Sequence, residues 1–360
     1  MMTKFEKWPI EKANQWQAKT PWLVGSNFIP STAINQLEMW QADTFDPDTI
    51  DRELGWAENL GFNAMRVYLH DLLWMQDAEG FKSRIHQFLD IADRHHIKII
   101  FVFFDDCWHD NPKLGQQPTP KPGVHNSGWV QSPGTSMLRD PSKWDRLEEY
   151  VVDIMTTFGQ DERVVVWDMY NEPGNNVLVS LNQNKFKRNL KVLGQVLQHY
   201  LNSRPSRRLL EKAFDWGRST NPQQPLTAGL FYFIGTLDTK LNSVTLAMSD
   251  IVSFHSYSEL ETTSEFVDEL RKSQRPLICT EYLARSSKCT FSTHLPYFKE
   301  RHISCFNWGL VSGKTQTIYS WTDYYPNGEE PPLWFHDIFR KDGSLYREDE
   351  GDVIRSATGK

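Results

Sequence analysis

Short apolar runs alternate with amphipathic helical patterns along the whole chain. Eight of the runs have the length of strands and are rich in β-branched and aromatic residues. They cover residues 22–28, 63–70, 98–105, 164–172, 225–230, 251–257, 276–282 and 305–311. The run KIIFVFFD at residues 98–105 is apolar without alternation, which is typical of a parallel strand that is buried on both faces.

The segments between these runs carry helical signals. Asp46 is placed to cap a helix that has Pro47 in its first turn, and Gly61 is placed to end it. Residues 82–95 and the residues after Asp140 show the same apolar spacing, and further helical segments fill residues 182–218. The helical pattern is weakest between the fifth and the sixth strand.

The order of these elements predicts the fold class. Strand–helix alternation without a hairpin signal implies parallel strands, so we expect an α/β protein with a single (β/α)8 TIM barrel and long βα loops. Residues 1–360 then form one domain, with an N-terminal extension at 1–20 and a helical insert at 174–205. The rival fold, a doubly wound open sheet, usually has a Gly-rich phosphate turn after its first strand, and the sequence GSNFIP at that place is not one.

Polar residues cluster at the predicted C-terminal ends of the strands, where barrel enzymes carry their active sites. They are Asn27, Arg66, His70, Asp105, Asp106, Asn171, Glu172, His255, Tyr257, Glu281 and Trp308. The set contains neither the Cys/His spacing of a metal site nor a phosphate-binding loop, so we expect no metal and no cofactor.

Glu172 and Glu281 suit the hydrolysis of a glycosidic bond. One carboxyl group must donate a proton to the leaving oxygen, and the other must attack the anomeric carbon or activate a water molecule. Carboxyl groups about 5–5.5 Å apart give retention of configuration, and groups about 6.5–9.5 Å apart give inversion. The fourth and seventh strands face each other across a barrel of this size, so their tips can approach over the same cavity, but the sequence alone does not fix the distance; a retaining mechanism requires the shorter spacing. We also expect a raised pKa for the proton donor.

The motif WDMYNEP at residues 167–173 resembles the acid/base motif of clan A glycoside hydrolases. From residue 22 to residue 321 the chain resembles glycoside hydrolase family 5, the cellulase and mannanase family. The resemblance implies a retaining mechanism with Glu172 as acid/base and Glu281 as nucleophile. It also implies a group of substrate-binding residues at the other strand ends, namely Arg66, Asn171, His255, Tyr257 and Trp308. The family usually has a His at the end of its third strand, where this chain has Asp105 and Asp106.

Three long connections follow the first, third and eighth strands, at residues 27–45, 106–140 and 311–321. Loops at this end of a barrel usually build the substrate site. We therefore add Glu38, Trp40, Asp106 and Lys314 to the candidate substrate-binding residues.

Charge and composition narrow the possible partners. The formal net charge of −7 argues against nucleic acid, and the 14 Trp, 12 Tyr and 21 Phe residues fit a large core as well as a sugar site. No apolar run is long enough to span a membrane, and the N-terminal residues lack the apolar core of a signal peptide. The four cysteines show no metal spacing, and we interpret them as free thiols. These features predict a cytoplasmic enzyme and leave its oligomeric state undetermined.

Within the resembled family, residues 27–45 and the sequence GKTQT are similar to those of cytoplasmic β-mannosidases. This similarity implies an exo-acting β-mannosidase for small β-mannosides such as Man-β-1,4-GlcNAc, and the long loops favour a closed pocket. An endo-β-1,4-glucanase, mannanase or xylanase is the alternative in the same class. A noncatalytic sugar-binding barrel is the alternative from another class, and the presence of both glutamates argues against it.

Overall fold

Eight parallel strands close into a barrel in the computed structural model of the protein, which describes residues 6–175, 185–231, 239–323 and 325–360. Each strand pairs with the next along the chain, and the last pairs with the first. The strands are β1 (Val24–Asn27), β2 (Ala64–Tyr68), β3 (Lys98–Asp105), β4 (Val164–Asn171), β5 (Leu226–Phe231), β6 (Val252–His255), β7 (Leu277–Tyr282) and β8 (Ser304–Trp308). The predicted (β/α)8 barrel is confirmed.

Helices connect the strands on the outside of the barrel. They are α1 (Ile10–Lys19), α2 (Gln36–Trp40), α3 (Pro47–Asn59), α4 (Asp71–Gln76), α5 (Ala78–Arg94), α6 (Thr135–Leu138), α7 (Asp145–Phe158), α8 (Lys185–Ser219), α9 (Thr239–Met248), α10 (Leu260–Arg271), α11 (Phe291–Glu300) and α12 (Glu348–Thr358). The predicted cap of α3 is confirmed, because the side chain of Asp46 accepts a hydrogen bond from the Thr49 N–H. No helix in the described ranges is both long and apolar enough to cross a membrane.

The hydrophobic core has two parts. The larger part lies between the strands and the surrounding helices, where residues such as Phe88 and Phe101 are fully buried. The smaller part fills the N-terminal end of the barrel, where Ile100 and Phe306 belong to one cluster with Trp8 and Ala13. Helix α1 therefore covers this end, and the polar chemistry is left to the opposite end. All four cysteines are free, as predicted.

The predicted helical insert at 174–205 is described only in part, because residues 176–184 lie outside the described ranges. From Lys185 onward the chain belongs to α8, which continues to Ser219 and packs against α7 and α9. This part of the predicted insert is continuous with the helix that returns the chain to β5. The division of the chain into one domain with an extension and an insert stays a prediction.

Three loops at the C-terminal end of the barrel are bonded to one another. The Gln36 side chain donates to the Val130 carbonyl at 3.0 Å, which joins the first loop to the third. The Asn126 N–H donates to the Thr315 carbonyl at 2.9 Å, which joins the third loop to the loop after β8. The first and the last are joined by an ion pair between Glu38 and Lys314 at 2.5 Å. These bonds connect the loops that follow β8, β1 and β3 into one wall at this end of the barrel.

Trp40 is placed in the core by the structure, which corrects its expected role in substrate binding. It is fully buried, and its indole N–H donates to the Tyr68 carbonyl at 2.8 Å. Its ring stacks on Phe45 and packs edge-on against Phe81 and Phe88. The first loop turns this large apolar side chain against the outside of the barrel, because burial there stabilises the fold more than exposure at the rim.

We expect Trp40→Ala to lower the free energy of unfolding by about 3–5 kcal/mol, as usual for the loss of a buried Trp. The KM for any glycoside that the protein hydrolyses should stay unchanged, because the ring contacts no substrate. Urea denaturation and steady-state kinetics on the same preparation measure both quantities. An increased KM together with unchanged stability would show that Trp40 binds substrate and does not act as a core residue.

Candidate active site

Glu172 lies immediately after β4 in a strained turn. Its backbone has φ = +43°, in the left-handed region that residues other than glycine rarely adopt and that often marks functional sites. Asp106 holds this turn, because its carboxylate accepts hydrogen bonds from the Tyr170 hydroxyl at 2.7 Å and from the Gly174 N–H at 2.6 Å. Asp106 is fully buried, so its expected contact with substrate is corrected to a structural role beside the acid/base.

Glu281, on β7, accepts hydrogen bonds at both carboxylate oxygens. Oε1 receives them from Arg66 at 2.8 Å and from the Tyr68 hydroxyl at 2.9 Å. Oε2 receives one from the Tyr257 hydroxyl at 2.7 Å. The arrangement fixes the orientation of the carboxylate and places the guanidinium of Arg66 against it.

Arg66 connects opposite walls of the barrel. Its guanidinium is completely buried and pairs with Asp168 on β4 at 2.8 Å as well as with Glu281. It also donates to the side-chain oxygens of Asn27 and Asn171 at 2.8 and 2.7 Å. Residues three apart on a regular strand face opposite sides. The register of β4 with β5 shifts between Asp168 and Asn171, which lets both side chains reach the same guanidinium.

His255 lies between the two glutamates. Its Nδ1 is 2.6 Å from Glu172 Oε1 and 3.5 Å from Glu281 Oε2, so Nδ1 carries a proton. Its Nε2 has no hydrogen-bond partner among the described residues. Gly229 on β5 makes room for the ring, because a Cβ at that position would lie 2.9 Å from Nε2.

The two candidate catalytic carboxylates are close together. One carboxylate oxygen of Glu172, one of Glu281 and one ring nitrogen of His255 all lie within 4.8 Å of one another. The nearest oxygens of the two glutamates are therefore no more than 4.8 Å apart. A cation could be held by such a group, but hydrogen-bond donors already satisfy the oxygens, among them the charged Arg66. The donor set favours acid/base and nucleophilic chemistry over metal binding.

The pKa of Glu172 contradicts the expectation of a raised value. Burial raises this pKa, but the hydrogen bond and charge of His255 lower it, with further hydrogen bonds from Asn175 and Cys107, and the net direction is downward. In the free protein the acid/base is therefore held in its ionised form. The expectation was wrong because the donors that tertiary structure brings to Glu172 outweigh its burial.

Asp105 occupies the end of β3, where the resembled family usually has a His. Its carboxylate accepts hydrogen bonds from Asn171 Nδ2 at 3.0 Å and from the Trp129 indole at 2.8 Å. Burial raises the pKa of Asp105 to about 7 despite these hydrogen bonds. The residue thus orients Asn171, whose Oδ1 faces Arg66 and whose amide nitrogen faces Asp105.

Trp308 ends β8 and belongs to a buried aromatic cluster. Its ring centroid lies 5.9 Å from that of Tyr68 and 5.5 Å from that of Trp129, both edge-on. Trp308 has a relative solvent exposure of 9%, so a small part of it remains accessible as a rigid apolar surface beside the carboxylates. Glu38 and Lys314 bond to each other in the wall, and among the described contacts none joins them to the two glutamates.

The structure therefore brings together Arg66, Asn171, Glu172, His255, Tyr257, Glu281 and Trp308. The sequence analysis missed Tyr68, Asp168, Cys107 and Asn175 as site residues. Tyr68 carried a usable signal, because it lies two residues after Arg66 on the same strand and therefore on the same face. The other three carried none, since irregular register or a turn brings them to the site.

Comparison with solved structures finds the same fold in glycosidases of low sequence identity. An apo β-glucosidase aligns with a TM-score of 0.59 and 11% identity, covering 94% of this chain and 98% of its own. A subfamily 18 member of glycoside hydrolase family 5 from Streptomyces cattleya, in complex with GlcNAc, aligns with a TM-score of 0.58 and 10% identity, covering 94% and 79%. The exo-β-1,4-mannosidase from Opitutaceae bacterium strain TAV5 aligns with a TM-score of 0.57 and 16% identity, covering 94% and 60%. No protein-family model and no curated protein sequence matches the chain.

We expect Gly229→Ala to reduce kcat/KM on aryl β-glycosides by about 10²-fold, because the added methyl group displaces the His255 ring from Glu172. Thermal unfolding would show that the variant is folded. Gly55→Ala is a matched control, since its Cβ also meets a histidine, His95 at 3.2 Å, but far from the site. Unchanged kcat/KM in Gly229→Ala would show that the position of His255 does not matter.

Proposed function

We propose that the protein is a retaining β-glycoside hydrolase in which Glu172 is the acid/base and Glu281 the nucleophile. The observation that carries the proposal is a pair of carboxylate oxygens within 4.8 Å in two different environments. This upper limit between the nearest oxygens is compatible with the separation of about 5–5.5 Å used for retention and is shorter than the about 6.5–9.5 Å of inverting enzymes. The shared barrel fold and the family 5 neighbours support the same conclusion.

The surroundings of each carboxylate favour these roles. Glu281 faces the positive charge of Arg66 and two tyrosine hydroxyls, which hold its carboxylate in one orientation. Among the described residues only Tyr257 donates a hydrogen bond to its Oε2, so this is the oxygen better placed to attack. Glu172 faces the imidazole of His255, whose Nδ1 lies 2.6 Å from its Oε1.

The reaction then has two displacements. In the first, Glu281 forms a bond to the anomeric carbon, the bond to the leaving oxygen breaks, and Glu172 gives that oxygen its proton. In the second, a water molecule attacks the anomeric carbon, Glu172 takes the proton of the water, and Glu281 leaves as a carboxylate. Two inversions give net retention.

We expect azide to distinguish the roles of the two glutamates. In Glu281→Ala, turnover is abolished and azide restores it with an α-glycosyl azide product, because azide takes the place of the carboxylate. In Glu172→Ala, activated substrates still glycosylate Glu281, and azide gives a β-glycosyl azide. The products are identified by NMR on the best substrate from a panel of nitrophenyl β-glycosides.

Glu300→Ala serves as the matched control, because Glu300 is an exposed surface residue and should show neither loss nor azide rescue. Exchanged azide stereochemistry between the two site variants would reverse the roles. Binding of sugars without hydrolysis by the unchanged protein would instead support the noncatalytic alternative.

For the substrate we propose exo-action on small β-mannosides such as Man-β-1,4-GlcNAc. The wall of three joined loops supports a pocket closed on the side of β1 to β3. Among the fold neighbours, one family 5 structure is in complex with Manβ1-4GlcNAc and another is an exo-β-1,4-mannosidase. Endo-β-1,4-mannanases are also neighbours, so endo-action remains the alternative. The cytoplasmic location stays a prediction from the sequence.

We expect manno-oligosaccharides to lose single mannose units from the non-reducing end, because a closed wall leaves no path for further sugars beyond the cleaved one. Chromatography of early products from manno- and cello-oligosaccharides of equal length measures this. Mixed oligomers at early times would contradict exo-action, and faster cleavage of the gluco series would contradict the preference for mannose.

A further inference from the structure

The two oxygens of Glu172 have different partners. Oε1 faces His255 Nδ1 at 2.6 Å. Oε2 accepts a hydrogen bond from the side-chain amide of Asn175 at 2.5 Å and from the Cys107 thiol at 3.2 Å. The oxygen turned away from the histidine is thus already occupied by donors from the protein itself.

A general acid must hold its proton on the oxygen that faces the leaving group. Since His255 occupies Oε1, that oxygen is Oε2. A thiol can turn and accept a hydrogen bond, but the amide NH2 group of Asn175 can only donate. Together the two donors occupy the lone pairs of Oε2, so a proton on this oxygen that points at a leaving group requires one of them to withdraw.

We propose that Asn175 is a positioning residue that donates a hydrogen bond to Oε2 of Glu172 in the free protein and gives way when the leaving group of a substrate takes its place at that oxygen. This inference rests on the proposed function. It makes the acid strength of Glu172 depend on whether a leaving group or the Asn175 amide lies at Oε2. Glu172 then becomes a proton donor only when a leaving group is present.

The turn after β4 accounts for the position of Asn175. Glu172 and Gly174 have φ values of +43° and +86°, and the Asn175 N–H donates to the Glu172 carbonyl at 2.9 Å. This tight turn brings the side chain of residue 175 back onto that of Glu172. Asn175 itself is only half-buried, so an entering group can reach it.

The other ionisable groups around Glu172 come from four strands or their loops. His255 from β6 and Cys107 after β3 contact it directly, and Glu281 from β7 lies within 4.8 Å. The remaining groups act through these neighbours or at longer range, namely Arg66 on β2, Asp105 on β3 and Tyr257 after β6. None of these groups is altered by a substitution at position 175.

The direction of the effect follows from the donor. A hydrogen bond to the carboxylate lowers the pKa of Glu172, so its removal raises that pKa. A second carboxylate at position 175 should raise it further by like-charge repulsion. The basic limb of the kcat/KM profile reports the pKa of the acid in the free enzyme, and the basic limb of the kcat profile reports its pKa in the substrate complex. In that complex Asn175 has withdrawn from Glu172.

The experiment compares pH profiles of the full-length protein and two variants on a phenyl β-glycoside and its 2,4-dinitrophenyl analogue. With the phenyl substrate, Asn175→Ala should move the basic limb of kcat/KM upward by about one pH unit and leave that of kcat in place. Asn175→Asp should move the kcat/KM limb further. With the 2,4-dinitrophenyl substrate, which needs no acid in the first displacement, neither variant should change the pH profile of kcat/KM.

Asn327→Ala is the matched control, because Asn327 makes a similar hydrogen bond to Glu329 at 2.7 Å on the exposed surface. A basic limb that stays in place in Asn175→Ala overturns the inference, whether or not the rate falls. So does an equal shift in kcat and kcat/KM, since Asn175 would then keep its place in the complex. Failure of the unchanged protein to hydrolyse even the 2,4-dinitrophenyl glycoside would instead overturn the proposed function, and the inference with it.

Discussion

The site depends on one buried positive charge. Arg66 is completely buried on β2, and a guanidinium without water requires anionic partners. It finds them on opposite walls, in Asp168 on β4 and Glu281 on β7. The ion pairs fix the separation of these walls at the C-terminal end of the barrel. The spacing of the two candidate catalytic carboxylates follows from it, because Glu172 comes directly after the strand that carries Asp168.

The remaining polar groups are oriented by the same charge. Asn171 turns its oxygen to Arg66 and its nitrogen to Asp105, so the amide has a single orientation. Glu281 is paired with the permanently charged Arg66. The hydrogen-bond partners of Glu172, which are His255, Asn175 and Cys107, carry no permanent charge. This asymmetry distinguishes a fixed carboxylate from one whose protonation can change. A nucleophile and an acid/base need this difference.

Access to the carboxylates is controlled by elements outside the barrel itself. The three joined loops limit the site on one side, and the strained turn of Glu172 limits it on another. Asp106 stabilises that turn by accepting hydrogen bonds from the Tyr170 hydroxyl and the Gly174 N–H. Glu172, the proposed acid/base, is consequently held by the loop after β3 as much as by its own strand.

The sequence by itself determined the barrel, its strand order and the residues at the strand ends, because period and composition are local properties. Arg66, Glu172 and Glu281 could be predicted since a charge inside or directly after an apolar strand is costly to bury and is usually kept there for function. Only the tertiary structure decided that Trp40 faces the core and that the pKa of Glu172 falls. Both depend on the direction of a loop or turn, and on neighbours distant in the chain, which no local pattern records.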